Sequence, residues 1–324
     1  MAQFEKFYIE ISDYCGLNCT FCPSHSRKSV RGAMQKEVFE SICRQIEGKT
    51  KRACFHILGD PLSVKNFEDY TQIAHSYHLK IDLVTTGLFL KERHFELLLQ
   101  EPFVQVSFSL SAFLANPLLL HTSHLYRILS FCEACIHANS PIFINLRLHQ
   151  NDILQKSRDF NMILESIRSF FGLSAYVLEQ FLAGRDIRIK LAPKIFLNAT
   201  RSFSWEQEDI KKVDTMRGGL DSHNQVEIES KDCKIFKDSK TQREEKNPRK
   251  PLCYGAIKQC GVLSNGELVP CCIDYKGKAS FGNVKEQSIK NILESPSFKG
   301  FRHLLKEGIA PCDLCKNCGY KDIL

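Results

Sequence analysis

Three cysteines lie within eight residues near the start of the chain, in the run Cys15-Gly-Leu-Asn-Cys19-Thr-Phe-Cys22. A C-x3-C-x2-C spacing allows three thiolates from one turn to converge on one iron–sulfur cluster, since such clusters are held by cysteine sulfur. A cubane has four irons, so three ligands leave one iron open to a small molecule, as a catalytic zinc keeps one position free of protein ligands. The spacing therefore predicts a [4Fe–4S] cluster with one open iron.

Other uses of these thiols remain open. A zinc ion would need a fourth ligand, and His25 is the nearest candidate. The thiols could instead carry no metal, although three close cysteines cannot all pair in disulfides. The ferredoxin run, C-x2-C-x2-C-x3-C, has a different spacing.

Six strand-like segments alternate with helical ones along the chain. The first, residues 7–11, ends just before the cysteines, and the others span residues 53–58, 79–84, 104–110, 142–148 and 187–191. Apolar residues recur at helical spacing over residues 35–46, 67–77, 91–99, 125–137 and 153–171. This alternation predicts an α/β fold with a parallel sheet, and six repeats are what a partial (βα)6, TIM-like barrel would show.

Each predicted strand ends in residues suited to binding. After the cysteines these are, strand by strand, Gly59-Asp60-Pro61; Thr85-Thr86-Gly87; Ser107, Ser109 and Ser111; Arg147 and His149; and Lys190 and Pro193. The C-terminal ends of barrel strands meet at one face, which carries the active site in barrels of this kind. We therefore expect a single site at that end of the sheet.

Plainer interpretations stand beside several of these residues. Alternating serines also form the polar face of an ordinary strand, and Gly59-Asp60-Pro61 also fits a turn with a helix cap. Arg147 lies in an apolar strand, where a buried guanidinium needs an anion, either a ligand or a neighbouring carboxylate. A lone histidine at a strand end, such as His149, is more often a bystander than an acid or base.

The composition indicates a globular chain. Its 324 residues, 43% of them apolar, suffice for a barrel-sized domain and a small appendage, which we place at residues 1–230 and 251–324 with a charged linker at 231–250. No apolar stretch approaches the ~18 residues of a membrane span, and the first residues lack the apolar region of a signal peptide. We therefore expect a cytoplasmic protein with no membrane partner. In that setting, fifteen cysteines indicate metal ligation rather than disulfides.

The run C-x3-C-x-aromatic-C after a first strand resembles the signature of radical S-adenosylmethionine (SAM) enzymes. The resemblance implies a [4Fe–4S] cluster on Cys15, Cys19 and Cys22, whose fourth iron is chelated by the amino and carboxylate groups of SAM. It also implies that Phe21 lies near the adenine of SAM.

Other strand ends extend this resemblance. Gly59-Asp60-Pro61 is similar to the family's Gly-Gly-Glu-Pro motif, which receives the amino group of SAM, although Leu58 and Asp60 depart from it. The run containing Thr86 resembles the family's Thr-Asn-Gly near the adenosine, without the Asn. The resemblance also implies that Ser107 and Ser109 meet the ribose or carboxylate of SAM, and Arg147 is our candidate for its carboxylate.

The C-terminal part of the chain has its own cysteine pattern. Cys253 and Cys271 form a Cys-x12-Gly-x4-Cys run that contains a predicted hairpin at residues 262–269, because Asn-Gly between apolar strands is a strong hairpin signal. A terminal Cys-x2-Cys follows, and the whole resembles the SPASM/twitch extension of radical SAM enzymes. The resemblance implies one auxiliary [4Fe–4S] cluster, with Cys253, Cys271, Cys315 and Cys318 as its ligands and Cys312, Cys260 and Cys272 as substitutes. A four-thiolate zinc knuckle is the alternative.

The resemblance implies a function. SAM would be cleaved reductively to a 5′-deoxyadenosyl radical, which takes a hydrogen atom from a peptide or protein substrate or from a small alcohol or sugar, with flavodoxin or ferredoxin as the electron donor. The formal charge of +7 raises RNA modification as an alternative, although no RNA-binding module is visible. A metal-binding interaction protein without turnover is a third possibility.

Overall fold

The computed structural model describes residues 4–26, 30–155, 157–203, 205 and 252–323. The predicted linker at 231–250 and the side chain of His25 lie outside the described residues.

Nine strands form one sheet within this part of the chain. They are β1 (Phe4–Ile9), β2 (Thr50–Phe55), β3 (Ile81–Thr85), β4 (Phe103–Ser109), β5 (Phe143–His149), β6 (Arg188–Ala192), β7 (Ile195–Thr200), β8 (Gln259–Val262) and β9 (Leu268–Val269). Their order in the sheet is β6-β7-β5-β4-β3-β2-β1-β8-β9. The strands from β7 to β8 in this order pair in parallel, and β6 and β9 pair antiparallel at the two edges.

Helices separate the parallel strands. After β1, β2 and β3 come α1 (Lys36–Ile46), α2 (Phe67–Ser76) and α3 (Arg93–Leu98). After β4 come α4 (Ser111–Ala115) and α5 (Thr122–His137), and after β5 come α6 (Gln150–Gln155), α7 (Arg158–Phe171) and α8 (Ala175–Leu182). The C-terminal region contributes α9 (Ile289–Glu294), α10 (Pro296–Lys306) and α11 (Asp313–Lys316). The predicted α/β alternation is confirmed.

The two faces of the sheet differ in character. On β4, Val106 and Phe108 belong to the apolar core, where the Phe108 ring meets Phe131 of α5 with centroids 5.7 Å apart. Successive strand residues point to opposite faces, so Ser107 lies on the other side. On that side the neighbouring strands also carry polar residues, among them Asn145, Arg147 and Asn198. We call this side the polar face.

The sixth parallel strand is not residues 187–191, as predicted, but β7. Residues 187–191 largely form β6, which folds back onto β7 through a turn in which Lys194 has φ +61°. Pro193 has no amide hydrogen to donate, so a strand does not continue through it. Because β6 runs in the opposite direction, Lys190 and Pro193 lie at the end of the sheet away from the cysteines. Their predicted place at the site is wrong.

One predicted helix is two in the structure. The prediction at residues 153–171 covers parts of both α6 and α7, and Ser157 separates them. The Ser157 side chain accepts a hydrogen bond from the Phe160 amide at 3.2 Å, which makes it the N-cap of α7.

The predicted C-terminal hairpin is confirmed, because β8 and β9 pair antiparallel. Less expected is that β8 also pairs in parallel with β1, so that the C-terminal region extends the main sheet. Gly261 permits this approach: a Cβ atom there would lie 2.9 Å from the Cβ of Tyr8. Within the described residues, none of the helices has the length and apolar character that crossing a membrane requires.

Candidate functional site

The three N-terminal cysteines lie in a loop at residues 15–22, which we call the cluster loop, beyond the C-terminal end of β1. Their sulfur atoms accept hydrogen bonds from the Leu17 amide to Cys15, from the Asn116 side-chain amide to Cys19 (3.0 Å), and from the Ser24 hydroxyl to Cys22 (3.1 Å). Burial raises the pKa of Cys15 to about 12 and that of Cys19 to about 11. These thiols therefore need a bound metal to become thiolates at neutral pH.

This donor set fits an iron–sulfur cluster. Hydrogen bonds to each sulfur stabilise the charge that a thiolate ligand carries. A zinc ion would need a fourth ligand, whereas a cubane receives each thiolate on a different iron and can keep one iron free of protein ligands. The three thiols of the cluster loop suit the cubane.

Two buried carboxylates that precede the cluster loop, Glu10 and Asp13, bind the chain that follows it. Asp13 accepts hydrogen bonds from the backbone amides of Arg31 and Gly32, both at 2.9 Å. Glu10, at the end of β1, accepts hydrogen bonds from the Arg31 guanidinium (2.7 Å), the Ser264 amide (3.0 Å) and the Leu58 amide (3.2 Å). Glu10 therefore ties the cluster loop to the end of β2 and to the C-terminal hairpin.

Gly59 packs against the backbone of Ser12 and Asp13, just before the cluster loop. Its φ is +75°, and a Cβ atom would lie 2.3 Å from the carbonyl oxygen of Ser12. Any side chain there would have to displace backbone. Pro61 follows as the first residue of a short 3-10 helix, Pro61–Ser63.

Asp60 is fully buried, and its carboxylate is held by the protein. It accepts hydrogen bonds from the Thr86 hydroxyl (2.7 Å) and amide (2.8 Å), the Thr85 hydroxyl (2.9 Å) and the Leu62 amide (3.1 Å). Burial raises the pKa of Asp60, while these hydrogen bonds oppose the shift. Asp60 and Thr86 thus join the ends of β2 and β3. Their contact with SAM stays a prediction.

Ser107, Ser109 and Arg147 lie on the polar face of β4 and β5. Ser109 and Arg147 are direct neighbours in the register of the two strands. Arg147 is half-buried, and burial lowers its pKa; Tyr320 and Tyr8 are the groups that oppose this shift. Within the described ranges, no carboxylate forms an ion pair with its guanidinium. That leaves the guanidinium available to an anionic ligand.

Phe21, a residue of the cluster loop, packs against the end of β5. Its ring meets His149 edge-on with centroids 4.5 Å apart, and its carbonyl oxygen accepts a hydrogen bond from the Trp205 indole at 2.9 Å. Trp205 also packs against Tyr275, three residues beyond Cys272. This aromatic contact joins the cluster loop to the C-terminal region.

The structure brings together the four C-terminal cysteines that we predicted as ligands, Cys253, Cys271, Cys315 and Cys318, here called the C-terminal cysteine group. Cys315 interacts electrostatically with both Cys253 and Cys318, and Cys271 with Cys315. Burial raises the pKa of Cys253, Cys271 and Cys315. The group therefore also has the chemistry of a metal site whose ligands ionise on binding.

The substitute ligands lie in two different settings. Cys260 is buried in β8 opposite Phe7 and packs in the core. Cys312 is buried in the core. Cys272 is half-buried next to Cys271 and is hydrogen-bonded with the Tyr8 hydroxyl.

Sequence reasoning missed several residues of this site. Glu10 and Asp13 carried a usable signal, since carboxylates in or beside an apolar strand are buried only when they have partners. Asn116, which reaches the cluster loop from α4, carried none. His56 follows β2, and its Nδ1 is buried without a hydrogen-bond partner in the described part of the chain.

Two family models match the sequence. One, described as the radical SAM superfamily, matches residues 9–152, and the other, described as an iron–sulfur cluster-binding domain (SPASM), matches residues 253–319. Among curated proteins, the S-adenosyl-L-methionine-dependent 2-deoxy-scyllo-inosamine dehydrogenase of Niallia circulans is 40% identical over 76 residues. That match covers 21% of this chain and 30% of the relative.

Solved structures share the fold. BtrN in complex with AdoMet and 2-DOIA matches with a TM-score of 0.53 and 18% identity over 98% of this chain and 94% of that one. Streptococcus suis SuiB bound to S-adenosylmethionine matches with a TM-score of 0.56 and 15% identity over 99% and 74% of the two chains. AnSMEcpe with bound AdoMet gives 0.52 and 17% over 98% and 95%. The predicted partial barrel is thereby confirmed.

The matched domains are those that hold a SAM-binding [4Fe–4S] cluster and auxiliary iron–sulfur clusters, and each contains one of the two cysteine groups. The chain therefore contains a radical SAM domain over residues 9–152 and a C-terminal SPASM-type iron–sulfur cluster-binding domain over residues 253–319.

Proposed function

We propose that this protein cleaves SAM reductively and uses the resulting radical to remove a hydrogen atom from its substrate. The observation that carries the proposal is the cluster loop, in which all three sulfurs accept hydrogen bonds at the end of the sheet where Thr86 and Phe21 also lie. When bound, a reduced cluster supplies one electron to SAM, which breaks into methionine and a 5′-deoxyadenosyl radical.

The residues of the chain bind and orient SAM in this proposal. Cys15, Cys19 and Cys22 hold three irons and leave the fourth to SAM. The Arg147 guanidinium, which has no carboxylate partner among the described residues, binds the SAM carboxylate, with Ser109 beside it. Phe21 lies against the adenine, and flavodoxin or ferredoxin supplies the electron.

A peptide or protein is the first substrate class that we propose. Two solved structures that share the fold have peptides bound, SuiB with the precursor peptide SuiA and anSMEcpe with the Kp18Cys peptide. The second class is a small alcohol or sugar, because the 40% identical stretch belongs to a dehydrogenase of 2-deoxy-scyllo-inosamine. The polar face, with Asn145, Arg147 and Asn198, suits a ligand rich in hydrogen-bonding groups.

Anaerobic reconstitution tests the proposal. We expect about eight irons per chain, four for each cubane, and dithionite-dependent formation of 5′-deoxyadenosine. Cys19→Ala should abolish SAM cleavage and lose about half of the iron, because one ligand of the N-terminal cluster is gone. Cys132→Ala, which changes a fully buried core cysteine of α5, should keep both.

Two results would contradict the proposal: about one to two zinc ions per chain without SAM cleavage, or a Cys19→Ala variant that still cleaves SAM. Adding peptides and cyclitols separately, and measuring 5′-deoxyadenosine above the substrate-free level, then distinguishes the two substrate classes.

A further inference from the structure

Asn116 lies in the connection after β4, and its side chain contacts the cluster loop. It directly follows α4, and its side chain, 7% exposed, donates to the Cys19 sulfur at 3.0 Å and to the Ala112 carbonyl at 2.9 Å. Its carbonyl oxygen accepts a hydrogen bond from the Asn18 amide at 3.0 Å. One side chain thus contacts both the backbone and the sulfur of the cluster loop, across 97 residues of sequence.

The network determines which way this amide points. Its NH2 group has two hydrogens, and both face acceptors, the Ala112 carbonyl and the Cys19 sulfur. Its oxygen faces the Asn18 N–H. The flipped amide would put an acceptor against two acceptors and a donor against a donor, so one orientation is selected. The donor aimed at Cys19 is therefore fixed in place.

We propose that Asn116 is a positioning residue that fixes the Cys19 sulfur and raises the reduction potential of the cluster bound there. A donor aimed at a ligand sulfur draws electron density from it and favours the more negative, reduced state of the cluster. The inference rests on the proposed function for the presence of that cluster. Its test is a potential and not an activity.

The other two sulfur donors of the cluster loop differ from Asn116. Leu17 donates to Cys15 through its backbone amide, which no substitution other than proline removes. Ser24 donates to Cys22 through a hydroxyl that is free to rotate and is only half-buried. A hydroxyl at such a site is replaced by water at low cost. Of these donors, Asn116 should therefore have the largest effect that mutation can measure.

The experiment uses the full chain, reconstituted anaerobically, as wild type, Asn116→Ala, Asn116→Asp and Ser24→Ala. Asn116→Asp keeps an acceptor for the Asn18 amide and nearly the same volume but places a carboxylate oxygen, which cannot donate, against the sulfur. Redox titration followed by electron paramagnetic resonance gives the midpoint of the N-terminal cluster, whose signal is identified by its change when SAM is added. Iron content and SAM cleavage by the wild type are measured separately, so a failure of the proposed function shows there.

Losing one hydrogen bond to sulfur should lower the ratio of reduced to oxidised N-terminal cluster about tenfold at a fixed applied potential, which is ~59 mV for one electron. We expect at least this change in Asn116→Asp, a similar change in Asn116→Ala and a smaller one in Ser24→Ala. The midpoint of the auxiliary cluster should not move in any of them.

Loss of the N-terminal cluster from both Asn116 variants, with auxiliary iron and the far-ultraviolet spectrum unchanged, would also support the positioning of Cys19. The inference is overturned if both variants assemble the N-terminal cluster with the wild-type midpoint. It is equally overturned if both unfold globally, because Asn116 would then act through α4 and not through the cysteine.

Discussion

The two cysteine groups are built in opposite ways. The cluster loop takes its three sulfurs from eight consecutive residues. It is held by the remote Asn116 at the sulfur of Cys19 and by Glu10 and Asp13, which directly precede the loop. The C-terminal cysteine group takes its four sulfurs from separate segments, at Cys253, at Cys271 and at the pair Cys315 and Cys318. The N-terminal site therefore comes from one short segment, whereas the C-terminal site combines segments that are far apart in sequence.

This difference indicates what each region needs for order. The cluster loop is braced by hydrogen bonds that the protein makes without a metal. In the C-terminal region, which has two short strands and three helices of at most eleven residues, bound metal should contribute much of the stability, as in small metal domains generally. Glu10 and the pairing of β8 with β1 are among the links between the two regions.

The largest effect should come from breaking the Glu10 link. In Glu10→Gln, Arg31 loses the nearer of its two buried carboxylate charges and keeps only Asp13, at 3.8 Å. The amide NH2 faces a backbone donor even in its best orientation, the Leu58 amide, which lies 3.2 Å from the present carboxylate. Removing one partner of a buried pair costs about 3–5 kcal/mol. Urea unfolding of the reconstituted protein should show a loss of stability of this size, with both iron clusters lost more readily.

Glu5→Gln is the matched control for that experiment. Glu5 also lies on β1 and pairs with Lys258 at 3.5 Å, but its side chain is 51% exposed. An exposed pair contributes about 0–1 kcal/mol. If the free energies of unfolding of Glu10→Gln and Glu5→Gln differ by less than about 1 kcal/mol, Glu10 does not couple the two regions.

The sequence predicted the features whose signals are local. The spacing of Cys15, Cys19 and Cys22, the Asn265-Gly266 turn and the alternation of strands and helices each depend on a few neighbouring residues, and the structure shows those elements. Strand β7 was missed because Pro193 and Lys194 separate two short apolar segments that look like one strand. A turn of that kind leaves little trace in hydrophobic periodicity.

The parts that could not be predicted depend on contacts between remote residues. Nothing near Asn116 in the sequence indicates a cysteine 97 positions away, and nothing near Ser264 indicates Glu10, 254 positions away. Asp60 was predicted to contact SAM, and no local signal indicated that Thr85 and Thr86 would hydrogen-bond its carboxylate. Which hydrogen bonds a buried polar group makes is decided by the packed fold and not by its local sequence.

A smaller effect, confined to the N-terminal side of the comparison, is expected from Gly59→Ala. The backbone at φ +75° is strained for alanine, and its Cβ would overlap the Ser12 carbonyl at 2.3 Å. Strain of ~1 kcal/mol and overpacking of ~1–3 kcal/mol together predict a loss of ~2–4 kcal/mol. Because Ser12 leads into the cluster loop, SAM cleavage should fall more than auxiliary iron content does.

Gly32→Ala separates these two causes. Gly32 has φ +85°, but a Cβ there would meet no atom within 4 Å. It should therefore show the backbone strain alone, ~1 kcal/mol. Equal losses of stability in the two variants would mean that the contact with Ser12 is not what requires glycine at position 59.

The smallest effect concerns His56, which directly follows β2 and has a buried Nδ1 without a hydrogen-bond partner among the described residues. Its ring meets Tyr8 edge-on at 5.2 Å, and burial, with a contribution from the Arg147 charge, lowers its pKa to about 3. The folded state therefore keeps His56 neutral while the unfolded chain takes up a proton near pH 6.5. Stability from this group is complete above about pH 6.5 and falls by up to ~1.4 kcal/mol for each pH unit below it.

Urea unfolding of wild type and His56→Gln at pH 7.5, 6.5 and 5.5 measures this dependence, since the other titrating groups are common to both. The advantage of histidine over glutamine should shrink by about 1 kcal/mol between pH 6.5 and 5.5. A difference that stays constant across the three pH values would contradict the lowered pKa and show that His56 is open to solvent in the folded protein.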